Sequence, residues 1–184
     1  MKLRLVTLAA VFCALISGAR LTQAQQAPPG VNEAIATISS VPSTHSAVTF
    51  DRDMLQSLWG ERPFAGLNGI TVESYKYREP AFYVPEAMAA IIQDFNAAGW
   101  KHLVEANVSP RASAEPDKPI TDMWFHLRGD DIDGVTVLIR APRQMDLVEV
   151  SGIFRPLDLV HLSGHFGIPK VDPNTVMVPA PPGR

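Results

Sequence analysis

The alternation of apolar and polar positions divides the chain into short strands and a few amphipathic helices. Ala47 to Phe50 reads as a short strand. Asp51 then predicts an N-cap for a helix carrying Met54, Leu55, Leu58 and Trp59, stopped by Gly60. Gly69 to Tyr77 alternates with the period of a strand, with Ile70 and Val72 on one side and Thr71 and Glu73 on the other. Pro85 fits the first turn of a helix running to Ala98. There Met88, Ile91, Ile92 and Phe95 recur at helical spacing and Gly99 ends the run. The second half predicts four strands, Lys101 to Asn107, Asp122 to Arg128, Val135 to Arg140 and Leu147 to Phe154. Pro156 then opens a last helix from Leu157 to about Ser163.

Strands that follow one another without intervening helices pair antiparallel. The expected fold class is therefore α+β, a mainly antiparallel sheet with a four-strand C-terminal meander and helices packed on one face. The alternation assigns Met123, Phe125, Leu127, Val135, Val137, Ile139, Val148, Val150 and Phe154 to the covered face. The opposite face then carries Trp124, His126, Arg128, Thr136, Leu138, Arg140, Glu149 and Ser151. A hairpin turn centred on Ile132 would set Trp124 across from Arg140 and His126 across from Leu138.

The ends change the picture. Lys2 and Arg4 precede an apolar run from Leu5 to Ile16, and cleavage-compatible small residues follow at Ser17-Gly18-Ala19 and Thr22-Gln23-Ala24. This is the layout of a secretory signal over residues 1–24, and the apolar run is shorter than the roughly 20 residues a membrane span needs. Residues 25–46, rich in Gln, Ala, Ser, Thr and Pro, read as a disordered linker. Residues 47–170 form the single domain, and the prolines of 171–184 make an extended tail.

Cys13 is the only cysteine, it lies within the apolar run, and Phe12 before it breaks the small-residue pattern of a lipid-attachment site. Signal removal would leave no disulfide, thiol nucleophile or thiolate ligand. Lys2, Arg4 and Arg20 account for three of the 16 basic residues and the signal holds none of the 19 acidic ones, leaving 13 against 19, or −6. A net-acidic domain without a basic run argues against nucleic acid and anionic membrane surfaces as partners.

Several stretches recur in the order of a known family: Leu67-Asn68-Gly69-Ile70-Thr71-Val72, then Gly99-Trp100-Lys101-His102-Leu103. Asp130-Asp131-Ile132-Asp133-Gly134 and Glu149-Val150-Ser151-Gly152-Ile153, leading into a Leu-rich helix, complete the pattern. Over about residues 46–169 the chain resembles the exported bacterial family catalogued as domain of unknown function 4252 (DUF4252). The resemblance implies a periplasmic or surface-exposed protein, often a lipoprotein, with no established activity and no catalytic residue to carry over. The absent lipid-attachment pattern departs from the lipoprotein members.

Candidate chemistry is sparse. His161 and His165 stand four apart, with Asp158 three residues before the first, which is metal-ligand spacing on a helix. The pair is incomplete, and Gly164 weakens the helix that would align it. Asp130, Asp131 and Asp133 before Gly134 have the look of a calcium loop, but with Gly134 as the loop glycine Gly129 and Arg140 fall where the anchoring carboxylates belong. A hairpin turn explains that segment better. Ser163 lacks the glycine pattern of an activated nucleophile, and no glycine-rich phosphate loop opens a helix. Asn107-Val108-Ser109 matches a glycosylation acceptor by chance.

The second sheet face is the remaining candidate. Trp124, Arg128, Arg140 and Glu149 would form an amphipathic contact surface for a protein partner or a second copy of the chain. The alternatives are a cation–π pair on an ordinary face, or a Trp124 covered by residues 25–46. The expected function is a non-enzymatic, extracytoplasmic binding module, exported to the periplasm or beyond the cell, with no cofactor and no stable membrane anchor after signal removal. The competing expectation is a metal-dependent or hydrolytic enzyme using His126, His161 and His165.

Overall fold

The computed structural model describes residues 26–59, 66–154, Gly164 and 176–181. The signal segment with Cys13, the last predicted helix, Asp158, His161, Ser163 and His165 lie outside the described residues. The chain runs α1 (Val31–Ala36), β1 (Ser43–Asp51), α2 (Arg52–Trp59), β2 (Leu67–Tyr77), α3 (Pro85–Ala97), β3 (Lys101–Glu105), α4 (Pro110–Ala114), β4 (Ile120–Arg128), β5 (Asp131–Arg140), β6 (Gln144–Phe154) and β7 (Met177–Pro179). The fold is α+β, built on one seven-stranded antiparallel sheet in the order β1-β2-β6-β5-β4-β3-β7.

Local chemistry explains the boundaries. Asp51 Oδ1 accepts the Met54 N–H at 2.9 Å and caps α2. Pro85 occupies the first turn of α3, and Gly99, at φ +83°, carries the chain out of it. Ser109 Oγ accepts the Ala112 N–H and caps α4, a helix of five residues too short for its periodicity to show. Gly152, at φ +140°, marks the break in register between β6 and β2. A Cβ there would come within 2.6 Å of Leu67 Cα, so the two strands close only over a glycine.

Two expectations about the ends are corrected. Residues 25–46 are not a linker in their described part: α1 buries Val31 and Ile35 completely, Ile38 follows with no exposure, and β1 starts at Ser43. Six helical residues give too few turns to display an amphipathic pattern, so only tertiary contact identifies them. The proline-bearing tail supplies β7, which pairs with β3 at the sheet edge, a position where a strand proline need cost no ladder bond.

The face assignment is corrected as well. α1 and α3 cover the side of the sheet that carries Trp124, Leu138, Met145 and Leu147, and Trp124 is 0% exposed. The side expected to face the helices holds a smaller core of Ile70, Val72, Val135, Val148 and Val150, covered in part by Leu55 of α2, while Leu127 at its end is 43% exposed. Helices therefore sit on both faces. The hairpin turns at Gly129-Asp130, with Arg128 opposite Asp131 and Gly129 at φ +66°. Trp124 consequently lies across from Thr136, and Arg140 across from Ile120.

The centre of the main core is a stack of three rings. Phe95 of α3 lies on Trp124 with centroids 4.6 Å apart and an interplanar angle of 11°, and His102 of β3 lies on Trp124 at 4.5 Å and 8°. One helix and two strands are joined through a single indole.

Trp124→Ala therefore removes a core side chain, and we expect it to cost about 3–5 kcal/mol of folding stability. Urea denaturation followed by circular dichroism checks this; a change below about 0.5 kcal/mol, the size of an ordinary surface substitution, would return Trp124 to the surface. Ile35→Ala should cost about 2–5 kcal/mol in the same assay, whereas a linker residue would leave the transition where it was.

Candidate functional site

The buried face of the sheet is not wholly apolar. Asp122 of β4, His102 of β3 and Arg140 of β5 all project from it and are all nearly inaccessible. Asp122 Oδ1 lies 3.1 Å from His102 Nε2, and Asp122 Oδ2 accepts from Arg140 Nη2 at 2.7 Å. The other guanidinium nitrogen, Nη1, donates to the Ser113 carbonyl of α4 at 2.5 Å, and the Ser113 hydroxyl lies 3.2 Å from both. The guanidinium also stands 5.6 Å from the centroid of the Tyr83 ring. The Asp122 carboxylate ties three strands together, and the Arg140 guanidinium extends the array to α4 and to the segment before α3.

Burial by itself would raise the Asp122 pKa. The hydrogen bond from His102 and the positive charge of Arg140 outweigh it, and hold the carboxyl below its ordinary value. With Asp122 ionised, His102 Nε2 is the donor of their shared bond. His102 Nδ1 and Arg140 Nε have no hydrogen-bond partner among the described residues, although both are buried. Such orphaned polar atoms mark a place where a ligand or water completes the shell.

A cavity of about 330 Å³ opens over this array. Met88 and Ile92 of α3 and Val104 and Val108 form its apolar walls; His102, Asp122, Arg140 and Ser113 form its polar part. Glu105, whose Oε1 accepts the Thr121 N–H at 2.6 Å, stands at its side. The site thus pairs an apolar enclosure with convergent polar groups, the usual composition of a small-molecule pocket.

A second cavity, of about 270 Å³, lies at the N-terminal end of α1 and is lined by Asn32, Trp100, Thr136 and Glu149. Asn32 Nδ2 donates to Glu149 Oε2 at 3.0 Å. Desolvation pushes the Glu149 carboxyl above its ordinary pKa, the Asn32 bond opposes this, and the charge of Glu73 adds to it.

The four residues of the expected contact surface are therefore dispersed. Trp124 is core, Arg140 is 3% exposed within the ion array, Glu149 lines the second cavity, and Arg128 is exposed at the hairpin end. The patch is corrected for an electrostatic reason: the Arg140 charge that made this face look solvated is neutralised by Asp122 beneath the helices. His126 lies with its Nδ1 2.6 Å from Asp133 Oδ1 and its ring against Trp100, so it belongs to a pair within the β4–β5 hairpin. Sequence reasoning passed over His102, Asp122 and Ser113. One signal was available: Asp122 and Arg140 share the parity of Trp124 in otherwise apolar strands, which is where a buried charge needs a partner.

Asp122→Asn leaves the Arg140 guanidinium buried without its counter-ion, and we expect it to cost about 3–5 kcal/mol. The sign with pH is fixed by the lowered pKa: the stabilisation is present above about pH 4, the unfolded value, and is lost as pH falls through the lower folded value. Urea melts of both proteins from pH 7 to pH 2.5 should show the gap between them closing only below about pH 4. A gap that is constant over the whole range would mean that Asp122 is not ionised in the fold.

No family model matches this chain, no curated protein matches it, and no solved structure matches its fold.

Proposed function

We propose that this chain is an exported binding module whose ligand seat is the cavity between α3, α4 and strands β3 to β5. The observation that carries the reading is the pairing of an apolar wall with two orphaned polar atoms, His102 Nδ1 and Arg140 Nε, on residues that line the same cavity. The ligand class that fits is a small, uncharged molecule with an apolar body and one hydrogen-bonding end. The ion array already neutralises its own charge, and the remaining lining carboxylate, Glu105, is engaged by the Thr121 N–H and would repel an anion.

The arrangement favours binding over hydrolysis. The hydroxyl nearest the array, Ser113 Oγ, is engaged by the Arg140 guanidinium, and His102 turns its Nε2 to Asp122. A nucleophile needs a base within hydrogen-bond reach, and the ring nitrogen that Asp122 leaves free for that role, His102 Nδ1, makes no hydrogen bond to Ser113 Oγ. Export rests on the layout of residues 1–24, and the resemblance to the exported family of domain of unknown function 4252 points the same way.

1-Hexanol is the probe. Titrated into the protein, it should shift the backbone amide resonances of Val104 and Val108 saturably, and Ile92→Trp, which fills the apolar wall, should abolish the shifts while preserving the thermal transition within a few degrees. Non-saturable shifts spread over the whole spectrum, or shifts that survive Ile92→Trp, would overturn this seat.

A further inference from the structure

The cavity at the N-terminal end of α1 has a chemistry opposite to that of the first. Its lining includes two carboxylates, Glu33 and Glu149, and no Lys, Arg or His. Glu149 is half-buried and, among the described residues, its carboxylate is held by one hydrogen bond, from Asn32. Three more polar atoms on the lining residues are buried with no partner among the described residues: Asn32 Oδ1, Thr136 Oγ1 and Trp100 Nε1. Thr136 and Trp100 are 1% and 3% exposed, so these groups were desolvated on folding without compensation from the described residues.

The register explains why they converge. Thr136 lies directly across from Glu149 in the β5–β6 pair, and Thr71 lies across from Glu149 in the β2–β6 pair, so the three occupy one row on one face. α1 brings Asn32 over that row, and the residue after Gly99 places Trp100 at its end.

We infer that this cavity binds a small primary ammonium group carried next to an oxygen atom. An ammonium presents three N–H donors and no acceptor. Glu149, Asn32 Oδ1 and Thr136 Oγ1 are acceptors, and they supply one charged and two neutral partners. Trp100 Nε1 can only donate, so it matches a hydroxyl or carbonyl oxygen beside the amine. The raised pKa of Glu149 fits the same picture: a carboxylate short of positive charge is stabilised by the arrival of a cation.

One ammonium has two sources. It belongs either to a free amino alcohol or to this chain, because signal removal after Ala24 would create an α-amino group at Gln25, next to Gln26 at the cavity rim. The experiment separates them. Ethanolamine is titrated by calorimetry into the chain from Gln25 onward, which keeps every described residue, once with a free α-amino group and once with that group acetylated.

Equal binding to both forms assigns the site to a free amine. Binding only to the acetylated form assigns it to the chain's own terminus, which otherwise fills the cavity. In the binding form, Glu149→Gln should weaken ethanolamine about tenfold or more, and Thr136→Val, which keeps the side-chain shape, about threefold. Ethylamine, lacking the hydroxyl, should bind more weakly than ethanolamine, and tetramethylammonium, lacking N–H donors, should not bind. No heat from ethanolamine with either form, or affinity unchanged in both folded variants, overturns the inference. So does a response to calcium chloride without one to ethanolamine.

Discussion

The structure depends on burying Trp124 between Phe95 and His102. This sandwich decides which face of the sheet the helices cover, because α3 can reach the indole only from the side on which β4 presents it. Once α3 is there, the other residues of the same parity, Asp122, Leu138, Arg140 and Glu149, go under cover or toward it with Trp124. The stack also fixes the plane of His102, so the imidazole meets Asp122 edge-on rather than by chance.

That single choice forces the electrostatics. A carboxylate and a guanidinium taken from water are costly unless each finds the other and its remaining hydrogen-bonding groups are satisfied. Asp122 meets this by serving two partners, and Arg140 meets it by reaching Ser113 and Tyr83. The solution is nearly complete: among the described residues six buried side-chain atoms are left over, five on residues that line the two cavities and the sixth Trp124 Nε1 in the core.

The two sites differ because their charges are balanced differently. Over the ion array, positive and negative groups are matched, the Asp122 pKa is lowered, and the walls are apolar. At the end of α1 the carboxyl has an amide for company instead of a cation, and its pKa is raised. Two pockets on one face can therefore prefer chemically distinct groups without sharing a residue.

Much of the local architecture was legible in the residues. The Asp51 cap, the spacing of Met88, Ile91 and Phe95, and the strand alternation from Gly69 onward each depend on neighbours a few positions away. So does the hairpin after Arg128, although its turn lies at Gly129-Asp130 and not at Ile132, because glycine at positive φ decides a two-residue turn more strongly than the centre of an acidic run. Parity within each strand was right too: Trp124 and Arg140 do share a face. What the pattern left open was which face is covered, since this sheet carries apolar residues on both sides and its Asp122–Arg140 ion pair on the Trp124 side. Tertiary structure alone decided that, as it decided α1, β7 and the meeting of His102 with Asp122. Their partners lie tens of residues away, and a short helix, an edge strand or a neutralised charge has no periodicity of its own to announce it.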